Sequence, residues 1–289
     1  MIASGGIDRA RRVAGSLVHG LVDLALPAVC ATCHDTLPNG GRSSGGARVI
    51  VCRTCVSRLV TLTLPLCVRC GHPRLSPNVP VPADIGSTVA APFSPCRWCP
   101  RLSPWVRAVR SVCRTDAGTG SAFVHALKYE GWERVALTMA EHMARLHFPA
   151  DVARERTALV PVPLAATRQR ERGYNQAERL ASALSPFWGI PVWGDAVHRV
   201  RSTTSQVRLT PSERAANVAQ AFATGTRRPA RLRGAHIVLV DDVVTTAATL
   251  NAAAVALMRG GARIISYVTF GRAPEAGDRD VPDLDFDQD

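Results

Sequence analysis

Eight of the nine cysteines in this chain fall into four Cys-x-x-Cys pairs: Cys30/Cys33, Cys52/Cys55, Cys67/Cys70 and Cys96/Cys99. A Cys-x-x-Cys turn presents two sulfurs to one tetrahedral ion, and two turns complete a four-sulfur site, so four pairs read as two zinc sites. Sites made wholly of protein sulfur are closed to substrate and therefore structural. Residues 27 to about 105, which carry the array, are rich in Pro and Gly and have little helical periodicity. That is the composition of a small module that a metal staples because it lacks a core of its own. The gap from Cys33 to Cys52 suits a zinc ribbon, and the longer gap from Cys70 to Cys96 accommodates a Pro-rich insertion at Ser76 to Pro95.

Pairing in sequence order is the simplest arrangement, and the sequence leaves a cross-braced one open. Redox dithiols and an iron–sulfur cluster compete with zinc, but no thioredoxin-like strand and helix surround the pairs. His34 and His72 follow cysteine pairs closely and are candidate substitute ligands, although the sulfur count is already complete. Cys113 stands alone in a predicted strand and reads as a buried core thiol.

In a reducing compartment, paired cysteines hold metal more often than they form disulfides. The N-terminus lacks a secretory signal pattern, and no stretch approaches the length of a membrane-spanning helix. The expectation is a cytoplasmic protein without membrane insertion. The formal net charge is +12, which favours phosphate-rich partners. All but one of the 35 basic residues are Arg, so coding bias explains part of that charge. The single lysine, Lys128, is conspicuous for the same reason.

Composition divides the chain into a lead-in over 1–26, with a short amphipathic helix at Ala14 to Ala25, and the cysteine module over 27–105. A third region follows over 106–270, and then an acidic, Pro-containing tail over 271–289, read as disordered. In the third region strands and helices alternate. Strands are expected at Trp105 to Arg114, Thr157 to Pro163, His236 to Val240 and Ile264 to Phe270. Helices are expected at Gly120 to His147, Asn175 to Leu184, Ser212 to Phe222 and Thr249 to Arg259. Such alternation predicts a parallel α/β sheet flanked by helices.

The segment His236 to Thr249, HIVLVDDVVTTAAT, carries the most chemistry. An apolar strand runs into adjacent carboxylates, Asp241 and Asp242, then into a turn of small and hydroxylated residues that opens a helix. The start of a helix offers free N–H groups and the positive end of the helix dipole to a phosphate. Asp241 and Asp242 accept hydrogen bonds from ribose hydroxyls, directly or beside Mg²⁺. One element can thus hold both ends of a phosphorylated ribose.

These residues resemble the phosphoribosyl pyrophosphate (PRPP) motif of type I phosphoribosyltransferases. Further segments resemble the ComF family of competence-associated proteins: HALKYEG at His125 to Gly131, VPVPL at Val160 to Leu164, RQRERGYNQ at Arg168 to Gln176, and the set Thr203, Gln206, Leu209, Arg214, Asn217 and Phe222. The four-pair cysteine array is similar to that family's too, and the resemblance spans roughly residues 20 to 270. It implies a type I phosphoribosyltransferase-like sheet preceded by a double zinc ribbon. It further implies that Asp241 and Asp242 bind the ribose, while Thr245, Thr246, Ala247, Ala248 and Thr249 wrap the 5′-phosphate. Arg168 and Arg172 would face pyrophosphate, residues from about Arg201 to Asn217 would form a hood, and Lys128 would stand near the site.

This sequence departs from the family's pattern at Ala247, where glycine is usual, and at Ala165, where histidine is frequent. The implied ligands are two structural zinc ions and Mg²⁺ with PRPP or a phosphoribosyl nucleotide. The implied partners are single-stranded DNA and DNA-uptake or helicase proteins. Three functions follow from the resemblance: transfer of phosphoribosyl to an unknown acceptor, PRPP or nucleotide sensing without turnover, and a DNA-handling accessory role in uptake, recombination or repair.

Overall fold

The computed structural model describes residues 27–41, 48–63, 65–74, 96–200, 221–225 and 229–274. The expected N-terminal helix, the Pro-rich insertion, the hood and most of the acidic tail lie outside these residues. So does the helix expected at Ser212 to Phe222, apart from its last two positions. The chain forms two compact units, Met1–Arg58 and Leu59–Asp289. Where composition suggests one cysteine module over 27–105, the second four-cysteine group belongs to the same unit as the sheet.

The first unit holds helix α1 (Arg53–Ser57), capped at its start by the Cys52 sulfur, which accepts from the Cys55 N–H at 3.3 Å. Ala31, Leu37 and Val51 are buried around Cys30 and Cys55. No larger apolar core is present among its described residues, as expected of a metal-stapled knuckle.

The second unit is built on β1 (Val106–Arg114), β2 (Arg156–Pro161), β5 (His236–Val244) and β6 (Ile264–Arg272). They form a wholly parallel sheet in the order β1-β6-β5-β2. A small antiparallel ribbon, β3 (Val197–Arg199) with β4 (Phe222–Thr224), flanks it. The helices are α2 (Gly120–Tyr129), α3 (Val135–Ala144), α4 (Ala150–Glu155), α5 (Ala166–Arg172), α6 (Gln176–Trp188) and α7 (Ala248–Arg259). Burial on both faces explains why β2 and β5 read as apolar runs rather than alternating ones.

One layer packs α7 and the ribbon against Ile237, Leu239, Ile265 and Tyr267. The row of buried alanines Ala252, Ala253, Ala254 and Ala256 lets α7 approach the sheet closely. Phe123, Leu127, Met139, Met143, Leu180 and Leu184 are buried on α2, α3 and α6.

Several expected bounds are corrected. The single helix over Gly120 to His147 is two helices, because Gly131 takes φ 73° and turns the chain out of α2. The helix expected at Asn175 to Leu184 runs on to Trp188 and stops at left-handed Gly189. Helices α4 and α5 were not expected. Strand β5 continues through the acid pair to Val244. Phe222 begins β4 instead of ending a helix. Gly271 and Arg272 belong to β6, so the tail cannot begin at 271.

Candidate functional site

Strand β2 stops at Pro161, opposite Val240, while β5 continues four residues further beside β6. The carboxyl end of β5 is therefore open on its β2 side, the usual place for a ligand on an open parallel sheet. Asp241 and Asp242 stand there. Strand period puts Asp242 on the same face as Val238 and Val240, and Asp241 on the face of Ile237 and Leu239. Asp241 Oδ1 accepts the Asp242 N–H, and Asp242 Oδ1 accepts the Val243 N–H, both at 2.9 Å. Burial, and then the neighbouring Asp242 charge, push the Asp241 carboxyl well above the usual carboxylate range. A cation beside this pair relieves that repulsion.

Val244 leads into a turn over Thr245, Thr246 and Ala247 that opens α7. Ala247 is left-handed at φ 60°, ψ 9°, the conformation that glycine serves elsewhere. The first α7 bond runs from the Asn251 N–H to the Ala247 carbonyl at 2.8 Å. The N–H groups of the preceding turn therefore lack an intrahelical acceptor and are open to an anion. Thr245, Thr246, Ala248 and Thr249 are exposed, while Ala247 is buried.

Lys128, in the last turn of α2, reaches this element. Its Nζ lies 2.7 Å from Asp242 Oδ2, whose side chain is only 4% exposed. The segment around Gly173 holds that geometry. Gly173, at φ 79°, ends α5, and the Tyr174 hydroxyl donates to the Leu127 carbonyl, one residue before Lys128. Asn175 caps α6 through Oδ1, and its Nδ2 donates to the Val162 carbonyl just past β2 at 3.1 Å. Arg172 donates to Gln176 Oε1 at 3.0 Å and lies over the Tyr129 ring at 4.9 Å. Arg168 is exposed on α5. The structure thus joins Lys128, Asp241, Asp242 and the turn directly. Arg172 lies over Tyr129, the neighbour of Lys128 in sequence, and among the described residues Arg168 is exposed on α5 away from this group.

The cysteines gather in sequence order, Cys30, Cys33, Cys52 and Cys55 in one cluster and Cys67, Cys70, Cys96 and Cys99 in the other. Sulfur separations include 3.9 Å for Cys30–Cys55, 3.8 Å for Cys33–Cys52, 3.5 Å for Cys67–Cys99 and 3.4 Å for Cys70–Cys96. A zinc–sulfur bond of about 2.3 Å implies tetrahedral edges of about 3.8 Å, so both clusters could hold zinc. Burial alone would raise the Cys30 and Cys67 thiols. N–H groups aimed at their sulfurs overcome it and hold them down, to about 6 and about 7 respectively. Burial pushes Cys55 and Cys70 the other way. Four sulfurs this close cannot all ionise without a cation among them. His72 stacks on Trp98, at 4.7 Å between ring centroids, and stands outside the sulfur cluster. Cys113 is fully buried and burial lifts its thiol to about 12, so it is an inert core residue.

The phosphoribosyl transferase domain family matches residues 170–288. Competence protein ComFC of Bacillus subtilis is 26% identical over 227 residues, 77% of this chain and 84% of that protein. Competence protein F of Haemophilus influenzae is 38% identical over 119 residues, 40% of this chain and 50% of that protein. DNA utilization protein YhgH of Salmonella typhimurium is 30% identical over 249 residues, covering 84% of this chain and 96% of that protein. The chain belongs to the ComF family. It is phosphoribosyltransferase-like, with a parallel sheet flanked by helices and a cysteine-rich N-terminal part.

The ComF segments quoted from the sequence now have structural work. HALKYEG ends α2 and delivers Lys128, VPVPL ends β2 beside the open strand edge, and the GYNQ stretch fastens both. Sequence reasoning did not assign roles to Tyr174 and Asn175, and no periodicity marks them. It also passed over Asn251 and Arg272, whose contacts come from residues more than a hundred positions away. No helix among the described residues is long and apolar enough to cross a membrane.

Proposed function

We propose that this chain binds PRPP with Mg²⁺ at the carboxyl end of β5. The observation that carries the reading is the acid pair running into a left-handed turn at a helix start, with Lys128 against Asp242. Asp241 and Asp242 would accept the ribose hydroxyls, and the N–H groups and hydroxyls of residues 245–249 would take the 5′-phosphate. The raised pKa of Asp241 suits a carboxyl that ionises when a cation arrives. Asp241 would hold Mg²⁺, which supplies charge neutralisation to pyrophosphate when bound.

Arg168 and Arg172 are the candidate donors to pyrophosphate, with the planar fork that phosphate oxygens fit. Transfer would break the bond from C1 to pyrophosphate, with the electron pair leaving on pyrophosphate, and form a bond from C1 to the acceptor. The protein needs no nucleophile for this, only positioning and electrostatic stabilisation.

A second reading, binding without turnover, is favoured by Ala165, which puts no titratable side chain at the start of α5. A role in DNA use or competence is in keeping with the names of the relatives; a cytoplasmic location and single-stranded DNA, DNA-uptake or helicase proteins as partners rest on the family resemblance alone. The test is competition. Ribose 5-phosphate and pyrophosphate should each displace labelled PRPP from the full chain, and displacement by neither would overturn the site. Pyrophosphate release that depends on an added nucleobase would separate the enzyme from the sensor.

A further inference from the structure

The second cysteine cluster is tied into the element that forms the phosphate turn. Val109 N–H donates to the Arg69 carbonyl at 2.7 Å, so the Cys67–Cys70 knuckle covers the outer edge of β1. Gly71 follows at φ 68°, where a Cβ would strike the Val109 carbonyl oxygen. Three guanidinium groups hold the cluster's backbone. Arg69 donates to Val106 and Ser103 carbonyls at 3.1 and 2.9 Å, and Arg110 donates to the Val68 carbonyl at 3.1 Å. Arg272 donates to the Cys70 carbonyl at 2.6 Å. Their positive charge suits the net negative charge of a zinc ion with four thiolates.

Two links lead from the cluster to the turn, one through Arg272 and one through Asn251. Arg272 sits opposite Val244 in the β5–β6 ladder, immediately before Thr245. Asn251 lies one helical turn beyond Ala247. Its Oδ1 accepts the Ser103 N–H and the Tyr267 hydroxyl, each at 3.0 Å, and its Nδ2 donates to the Arg101 carbonyl at 2.7 Å. Arg101 and Ser103 lie two and four residues after Cys99. Cys70, Trp98 and Arg101 also line a small cavity together with Thr245, Thr246 and Ala247.

We infer that the metal at Cys67, Cys70, Cys96 and Cys99 positions the phosphate turn, with Asn251 and Arg272 as the positioning residues that carry its order to residues 245–249. The inference rests on the PRPP reading above. Metal and PRPP then favour the same arrangement of one turn, so each tightens the other reciprocally.

The experiment follows zinc release from the zinc-loaded full chain to a chromogenic chelator selective against magnesium, with and without saturating PRPP and Mg²⁺. Calorimetry is run on the same samples. At equilibrium with the chelator, one of the two zinc equivalents should be held at least about 5-fold more tightly with PRPP, the low end of common linkage effects. The Cys30→Ser, Cys33→Ser double variant should keep that protected equivalent. Asn251→Ala should still bind two zinc ions but lose most of the protection, an outcome that lost stability alone would not produce. PRPP binding with no change in the affinity for either zinc equivalent would overturn the inference and leave the PRPP reading intact. Unchanged protection in Asn251→Ala would overturn the role of that residue. No PRPP heat in the loaded chain would overturn both.

Discussion

The two four-cysteine clusters have the same ligands and nearly the same sulfur spacing, yet they sit in different kinds of surroundings. The first is held by its own local backbone. Cys30 N–H donates to the Asp35 carbonyl and Leu37 N–H to the Ala28 carbonyl, and few buried apolar residues lie around it. The second is held by arginines and an asparagine that belong to the sheet and to α7. Identical chemistry therefore serves once as a self-contained staple and once as part of a larger core. The ligands alone do not reveal which; the residues that grip the neighbouring carbonyls do.

The largest expected effect breaks that comparison outright. Structural zinc contributes about 10 kcal/mol or more in small modules, comparable to the whole stability of a domain. Cys67→Ser with Cys70→Ser should therefore abolish the cooperative melt of the sheet unit. Cys30→Ser with Cys33→Ser should leave that melt in place. Circular dichroism melts of both variants, with zinc counted, decide the matter, and equal damage from both would remove the distinction.

A smaller effect sharpens it. Lys128→Met leaves the Asp242 carboxylate buried without its partner, at a cost of about 3 kcal/mol. The sheet unit should lose that stability at neutral pH while the first cluster keeps its zinc. Smaller still, Ala247→Gly removes a left-handed alanine, and the sheet unit should gain about 1 kcal/mol. A lower melting temperature for this variant would contradict the assigned turn.

The last effect is one of pH. Because folding raises the Asp241 pKa, its contribution is full below the ordinary value of 3.8 and is lost as pH rises through the raised one. Asp241→Asn should therefore gain stability relative to the parent chain as pH increases over that window. A flat difference across a pH series of melts would count against it.

Much of this was legible beforehand. The β5 segment showed its strand, acid pair and turn in fourteen consecutive residues, and the cysteine pairs announced two four-sulfur clusters by spacing alone. The lone lysine marked Lys128, but its partner Asp242 lies 114 positions away, beyond the reach of periodicity. The division between the two clusters was not legible either. It depends on Arg69, Arg110 and Arg272, three arginines among 34 that composition cannot tell apart. The break at Gly131 was missed, because the apolar spacing on either side reads as one continuous helix.

The most direct test of the central claim is calorimetric titration of the zinc-loaded chain with PRPP and Mg²⁺, beside the Asp241→Asn, Asp242→Asn double variant. The account predicts one binding event per chain in the parent protein and none in the variant, with both retaining two zinc ions. Equal binding by both would show that PRPP, if held at all, is held away from the carboxyl end of β5.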